Sequence, residues 1–135
     1  MLPLNEDEIR TLTSAIDRII PADDFPSASQ LGCVDFLLNI IATEHLVADY
    51  KLGLQGLNLE AGRSGKKFSD LTPAEQDKVL AVCEKRHTAQ GWAISPKKFF
   101  SLLARQTLEG YYADPGNGGN RGAASWRMVG FEVRN

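Results

Sequence analysis

The sequence predicts an all-α domain of about five helices, closed by an irregular C-terminal tail rich in glycine and aromatic residues. Three observations predict it. Helix-start signals recur along the chain in clear form, pairing an Asn, Thr or Ser cap with a Glu or Pro in the first turn. Apolar residues between those signals recur at helical spacing. No alternating strand pattern of useful length appears, apart from a short extended piece at Met128–Val133.

Taken in order, Asn5 precedes Glu6-Asp7-Glu8, so Asn5 and Glu8 form a capping box, with Leu4 and Ile9 at the staple positions on either side. Ile9, Leu12, Ile16, Ile19 and Ile20 then mark one helical face as far as Pro21. Pro21-Ala22-Asp23-Asp24-Phe25-Pro26 reads as a rigid loop that ends this helix. A second helix is expected from Ser27 or Ser29 to Thr43, with Leu31, Val34, Leu37, Leu38 and Ile41 on its apolar side. A third covers Leu46 to Gly62 and is weakened by Gly53 and Gly56, since glycine costs a helix backbone entropy. Thr72 caps the fourth, Pro73 takes its first position and Glu75 closes the box; Val79, Leu80, Cys83 and His87 give its face. Ser95 and Pro96 open the fifth in the same way, with an Ile94–Phe99 staple and Phe99, Phe100, Leu103, Gln106 and Thr107 following. Residues 1–135 show no repeat, linker or composition break, and are read as a single domain.

Composition narrows the function. Hydrophobic residues at 43% and charged residues at 24% are ordinary for a soluble globular domain. A net charge of −2 supplies no basic excess for nucleic acid or an anionic membrane. The longest apolar run, Phe36 to Ala42, is interrupted by Asn39 and far too short to span a bilayer. The acidic start, Met1 to Glu8, has neither the basic residues nor the apolar stretch of an export signal, which points to the cytoplasm; a periplasmic location requires a leader removed beforehand. Cys33 and Cys83 both fall on apolar helix faces and are expected as buried, reduced thiols.

No constellation of catalytic, cofactor or metal ligands emerges. Cys83 and His87 are four apart on one helix face, but a structural zinc site wants about four ligands in close register, and Cys33 or His45 does not complete one at recognisable spacing. As a nucleophile pair they lack an orienting third group and an oxyanion hole. Asp23-Asp24 is read as capping the next helix rather than as an acid/base pair. A phosphate loop lies between a strand and a helix with a Lys at a fixed place, whereas the glycine-rich tail follows a helix and has only Arg121 before Arg127. Lys66-Lys67 and Lys97-Lys98 read as solvated helix ends.

The tail itself, Gly110-Tyr111-Tyr112-Ala113-Asp114-Pro115-Gly116-Asn117-Gly118-Gly119-Asn120 with Trp126 and Gly130-Phe131, combines positive-φ residues with stiff aromatic surface. That suits either a partner surface or a loop folded back on its own core.

Ile19-Ile20-Pro21-Ala22-Asp23-Asp24, Gly32-Cys33-Val34-Asp35-Phe36, Phe68-Ser69-Asp70-Leu71, Thr107-Leu108-Glu109-Gly110-Tyr111-Tyr112 and Gly118-Gly119-Asn120 with Trp126 and Gly130-Phe131 together resemble the gluconate 2-dehydrogenase subunit 3 family over nearly the whole chain. The resemblance implies a small, non-catalytic subunit without a cofactor of its own. Its implied partner is a large FAD-carrying flavoprotein of the glucose-methanol-choline class that oxidises sugars, sugar acids or glycosides, with a cytochrome subunit as a further partner. Family members often carry a twin-arginine export signal and help the large subunit fold and leave the cytoplasm; this chain departs from them in lacking that signal. The resemblance tips part of the tail toward partner surface; because interface hot spots are rich in Tyr, Trp and Arg, the interface is expected at Tyr111, Tyr112, Asn117, Gly118, Gly119, Asn120, Arg121 and Trp126 around the glycine loop. The rival reading is a standalone enzyme or ligand-binding domain using Asp23, Asp24 and the tail as a pocket.

Overall fold

A computed structural model of the chain describes residues 2–85 and 91–113. Five α-helices follow one another in it: α1 (Glu6–Ile19), α2 (Cys33–Thr43), α3 (Val47–Ala61), α4 (Pro73–Glu84) and α5 (Pro96–Tyr111). Two 3-10 turns, Gly62–Ser64 and Phe68–Asp70, join α3 to α4. No strand occurs among the described residues. The fold is all-α, as the helix-start signals predict; the extended piece expected at Met128–Val133 lies outside the described residues.

The caps form as their residue types dictate. The Asn5 side chain accepts the Glu8 N–H at 2.8 Å while the Glu8 carboxylate accepts the Asn5 N–H at 2.8 Å. Thr72 and Glu75 repeat the exchange at α4, at 3.2 and 2.9 Å. The Thr72 N–H and hydroxyl, by bonding to it, hold the Glu75 carboxyl below its usual range. Ser95 Oγ accepts the Lys98 N–H at 3.3 Å, with Pro96 behind it.

The second helix differs from the expectation. It begins at Cys33, not at Ser27 or Ser29, because both serines are engaged elsewhere. Ser29 donates its N–H and its hydroxyl to the Asp17 carboxylate at 2.7 and 2.5 Å. Ser27 exchanges bonds with Gln30, its Oγ accepting the Gln30 N–H at 3.3 Å and its N–H donating to Gln30 Oε1 at 2.9 Å. Gly32 then stands at the helix N-cap with φ of 97°, a left-handed conformation that costs glycine little, and α2 has no side-chain cap.

α1, α3 and α5 each pack against all four other helices, so these three form the centre of the bundle. Leu12 and Ile16 of α1, Leu37 and Ile41 of α2, Tyr50, Leu54 and Leu57 of α3, Leu80 of α4, and Phe99 and Leu103 of α5 meet in one buried cluster with Phe68. Gly53 and Gly56, which weaken α3 as an isolated helix, are what lets its neighbours approach. A Cβ at Gly53 would clash with the ring of Phe99, and one at Gly56 with the indole of Trp92. Phe99 thereby stands edge-on to Tyr50, with ring centroids 5.6 Å apart, and 6.4 Å from Trp92.

The polar groups that this packing buries are paired. The Tyr50 hydroxyl donates to Gln106 Oε1 at 2.6 Å, and burial pushes its phenol well above the usual range. Asn58 and Gln76 pin the Phe68–Asp70 turn, through the Phe68 N–H at 2.8 Å and the Phe68 carbonyl at 3.0 Å. The Trp92 indole N–H donates to the largely buried Glu60 at 3.0 Å. Between α1 and α4, Arg18 forks onto Asp77 at 2.9 and 3.1 Å.

Candidate functional site

The loop after α1 is fastened at three points. The Ala28 N–H donates to the Ile20 carbonyl at 3.0 Å, closing its base. Asp17 holds Ser29 from α1. From the far end of α5, the Tyr111 hydroxyl donates to the Pro26 carbonyl at 2.6 Å. At the tip, Asp23 Oδ1 accepts the Phe25 N–H at 2.9 Å, and the Asp23 N–H donates to the Phe25 carbonyl at 3.1 Å. Pro21 and Pro26 restrict the rest. The result is an ordered loop, tied to the last turn of α5 through Tyr111, that leaves Phe25 exposed.

That last turn divides two neighbouring tyrosines. Successive helical residues point about 100° apart, and here the division falls between Tyr111 and Tyr112. The Tyr111 side chain is fully buried, and burial raises its phenol pKa. Tyr112 is 39% exposed, and Leu108, one turn earlier on the same face, 46%. The two rings meet edge to face with centroids 5.4 Å apart. Of the pair expected on a partner surface, Tyr111 is therefore internal: its ring fills the core and its hydroxyl satisfies a loop carbonyl. Tyr112 stays outward. Asn117, Gly118, Gly119, Asn120, Arg121 and Trp126 lie outside the described residues.

Two exposed apolar residues, Leu108 and Phe25, are not among the interface residues expected from sequence. Leu108 is four residues before Tyr112, a signal available to helical periodicity; Phe25, flanked by Asp24 and Pro26, carried no such signal. Other segments also converge here. The Cys33 thiol points at the Thr107 carbonyl, 4.0 Å away, and Phe36 lies against Gly110, where a Cβ would come within 2.7 Å of its ring. Thus Ile19–Asp24, Gly32–Phe36 and Thr107–Tyr112, three of the segments that carry the family resemblance, build one end of the molecule. Phe68–Leu71 packs elsewhere, on α1 and α3.

The chemistry-bearing candidates are placed as follows. Asp23 closes a turn within its own loop and does not cap α2; Asp24 is exposed. Cys33 and Cys83 are free and buried, and desolvation pushes each thiol up to about 12, so neither supplies thiolate near neutral pH. His87 lies outside the described residues. Among the described residues no three His, Cys, Asp or Glu side chains group as a metal site, and no helix is long and apolar enough to cross a membrane. Lys66, Lys67, Lys97 and Lys98 are all exposed, with Lys67 loosely paired to Asp7 at 3.5 Å.

Fold and surface together define a small helical domain whose loop after α1, α2 and the end of α5 are tied to one another, with Leu108 and Tyr112 exposed one turn apart on α5. The chain belongs to the gluconate 2-dehydrogenase subunit 3 family, whose model matches residues 6–132. It is thus of the type of one subunit in a multi-subunit dehydrogenase, which implies a partner subunit. No curated protein and no solved structure matches it.

Proposed function

We propose that this chain is the small subunit of an FAD-dependent sugar, sugar-acid or glycoside dehydrogenase, and that its mechanism is binding. It covers apolar surface of the large flavoprotein subunit and stabilises that subunit's folded state by mass action, since a partner that binds only the folded form shifts the folding equilibrium toward it. The family match over residues 6–132 carries the reading. On this reading the flavin and the reacting groups belong to the large subunit, and a cytochrome subunit is the natural electron acceptor.

Co-expression with a candidate large flavin-dependent dehydrogenase subunit from the same genome tests the proposal. The two should co-purify as a yellow complex, and the large subunit expressed alone should be less soluble and melt at lower temperature. The isolated chain should show no flavin absorbance and no dehydrogenase activity. Stoichiometric flavin on the isolated chain would sink the reading and favour a standalone enzyme.

A further inference from the structure

We infer that the groove between the end of α3 and the outer side of α4 binds an extended peptide segment of the partner subunit, holding a Glu or Asp side chain of that segment between Arg63 and Lys78. This goes beyond the subunit reading above and rests on it only for the source of the peptide. The groove has a volume of about 430 Å³. Its apolar lining is Ala61 and Leu71, both buried, and the half-buried Val79. Glu60, Arg63, Glu75 and Lys78 supply its charges.

These charges are not equivalent. Glu60 is only 6% exposed and accepts the Trp92 indole N–H. Glu75 accepts the Thr72 N–H in the α4 capping box. Both acids therefore already serve the chain's own donors. Arg63 and Lys78 are exposed, and neither side chain makes a hydrogen bond or ion pair among the described residues. Lys66 stands close by: Thr72 does most to lower the Glu75 carboxyl, and Lys66 and Lys78 add to it through space. Asp70, the exposed acid just before α4, does not line the groove.

The groove is thus rich in uncommitted donors and short of uncommitted acceptors, although the chain as a whole carries a net charge of −2. A guanidinium is a planar fork of N–H donors that matches a carboxylate, and an ammonium adds a point charge beside it. Donors of this kind next to an apolar lining select a carboxylate on a short apolar stem. The groove is open to solvent along its length, so a free small carboxylate would leave most of its surface wet, whereas a well-fitted small ligand is largely enclosed. A peptide chain can lie along it and insert one acidic side chain, with neighbouring aliphatic residues on Ala61, Leu71 and Val79. The partner subunit implied by the family is the source of such a segment.

The test titrates the full chain with the capped peptide acetyl-Ala-Leu-Glu-Val-Ala-amide, its Gln counterpart and acetate, following backbone amide shifts by NMR. The Glu peptide should saturate, with the shifts centred on Ala61, Arg63, Leu71 and Val79. The Gln peptide should bind about tenfold more weakly, and the gap should narrow as salt is raised. Arg63→Ala and Lys78→Ala should each weaken the Glu peptide by a similar factor, and Arg63→Lys by less, since it keeps the charge and loses the fork. Lys97→Ala, at an exposed base outside the groove, should bind like the wild type. No saturation, shifts centred elsewhere, equal binding of the Glu and Gln peptides, or wild-type affinity in both Arg63→Ala and Lys78→Ala overturns the inference. Acetate binding as tightly as the peptide also overturns it, because the groove would then be a small-carboxylate site. None of these outcomes bears on whether the chain assembles with a flavoprotein, and failure of that assembly defeats the subunit reading by itself.

Discussion

The two ends of α5 use the same kinds of residue for opposite purposes. At its start, Phe99 is driven into α3 across Gly53, with Trp92 across Gly56 and Tyr50 at its edge; Phe99 and Tyr50 are buried and Trp92 partly so. At its end, Tyr111 enters the core while Leu108 and Tyr112 stay exposed. The first end has a glycine-lined trough that admits rings to backbone contact. At the second, one ring is enclosed and tied to a loop, and its neighbours have no trough of their own. Aromatic content alone does not mark a binding surface; what marks it is whether the fold offers the ring a place to go.

Truncating the two tyrosines separately is the strongest way to break this contrast. Tyr111→Ala empties a core position and should cost about 3–5 kcal/mol of stability, the range for a large buried ring. Tyr112→Ala should cost about 1 kcal/mol or less, mostly the edge-to-face contact with Tyr111, while weakening assembly with the flavoprotein. Urea melts of the isolated variants check the first pair of values. Equal losses for the two would erase the distinction between inner and outer ring.

A smaller effect is expected at the other end. Gly53→Ala gains about 1 kcal/mol in helix propensity, but its methyl meets the enclosed ring of Phe99. Overpacking of this kind costs about 1–3 kcal/mol, so the net change should be a loss of stability. A gain would mean that the Phe99 ring moves aside cheaply and that the trough is not tight. Smaller again is Tyr111→Phe, which keeps the ring and removes only the bond to the Pro26 carbonyl. It should cost about 1 kcal/mol and loosen the loop under Phe25, a change readable as faster amide exchange at Phe25 and Ala28.

The least effect belongs to the exposed link between α1 and α4. The Arg18 guanidinium holds the Asp77 carboxyl below its usual range, and the carboxylate in turn raises Arg18. A folded-state pKa below the unfolded value of about 3.9 means stability present above that pH and lost as pH falls through the depressed value. Asp77 is half-exposed, with side-chain exposure of 52%, so screening limits the worth of the pair. Asp77→Asn should cost up to about 1 kcal/mol near neutral pH, and the difference from wild type should vanish in acid. A difference that persists at the lowest pH would assign the effect to packing instead of charge.

How much of this was legible beforehand follows a physical division. The starts of α1, α4 and α5 could be read because a cap and its partner are three residues apart and satisfy one another whatever the rest of the chain does. The buried face of α1 and the burial of Cys33 and Cys83 followed from period alone, since a helix must turn one side toward its neighbours. The start of α2 was misplaced because the distant carboxylate of Asp17 takes over Ser29, while Ser27 and Gln30 bond to each other across a turn that ends before α2. Asp23 misled for a similar reason, its side chain turning to Phe25 instead of the next helix.

The sequence by itself determined the helical class, the order of its elements and most of their boundaries, because caps, prolines and apolar period act over one or two turns. Only the tertiary structure decided that Gly53 and Gly56 are docking troughs, that Tyr111 is scaffold while Tyr112 is surface, and that the end of α5 is tied to the loop after α1. Each depends on a residue far away in the chain: Phe99 for Gly53, Pro26 for Tyr111. A side chain's local pattern sets which way it leaves the helix, but whether it meets protein or water is set by what the rest of the chain has packed there.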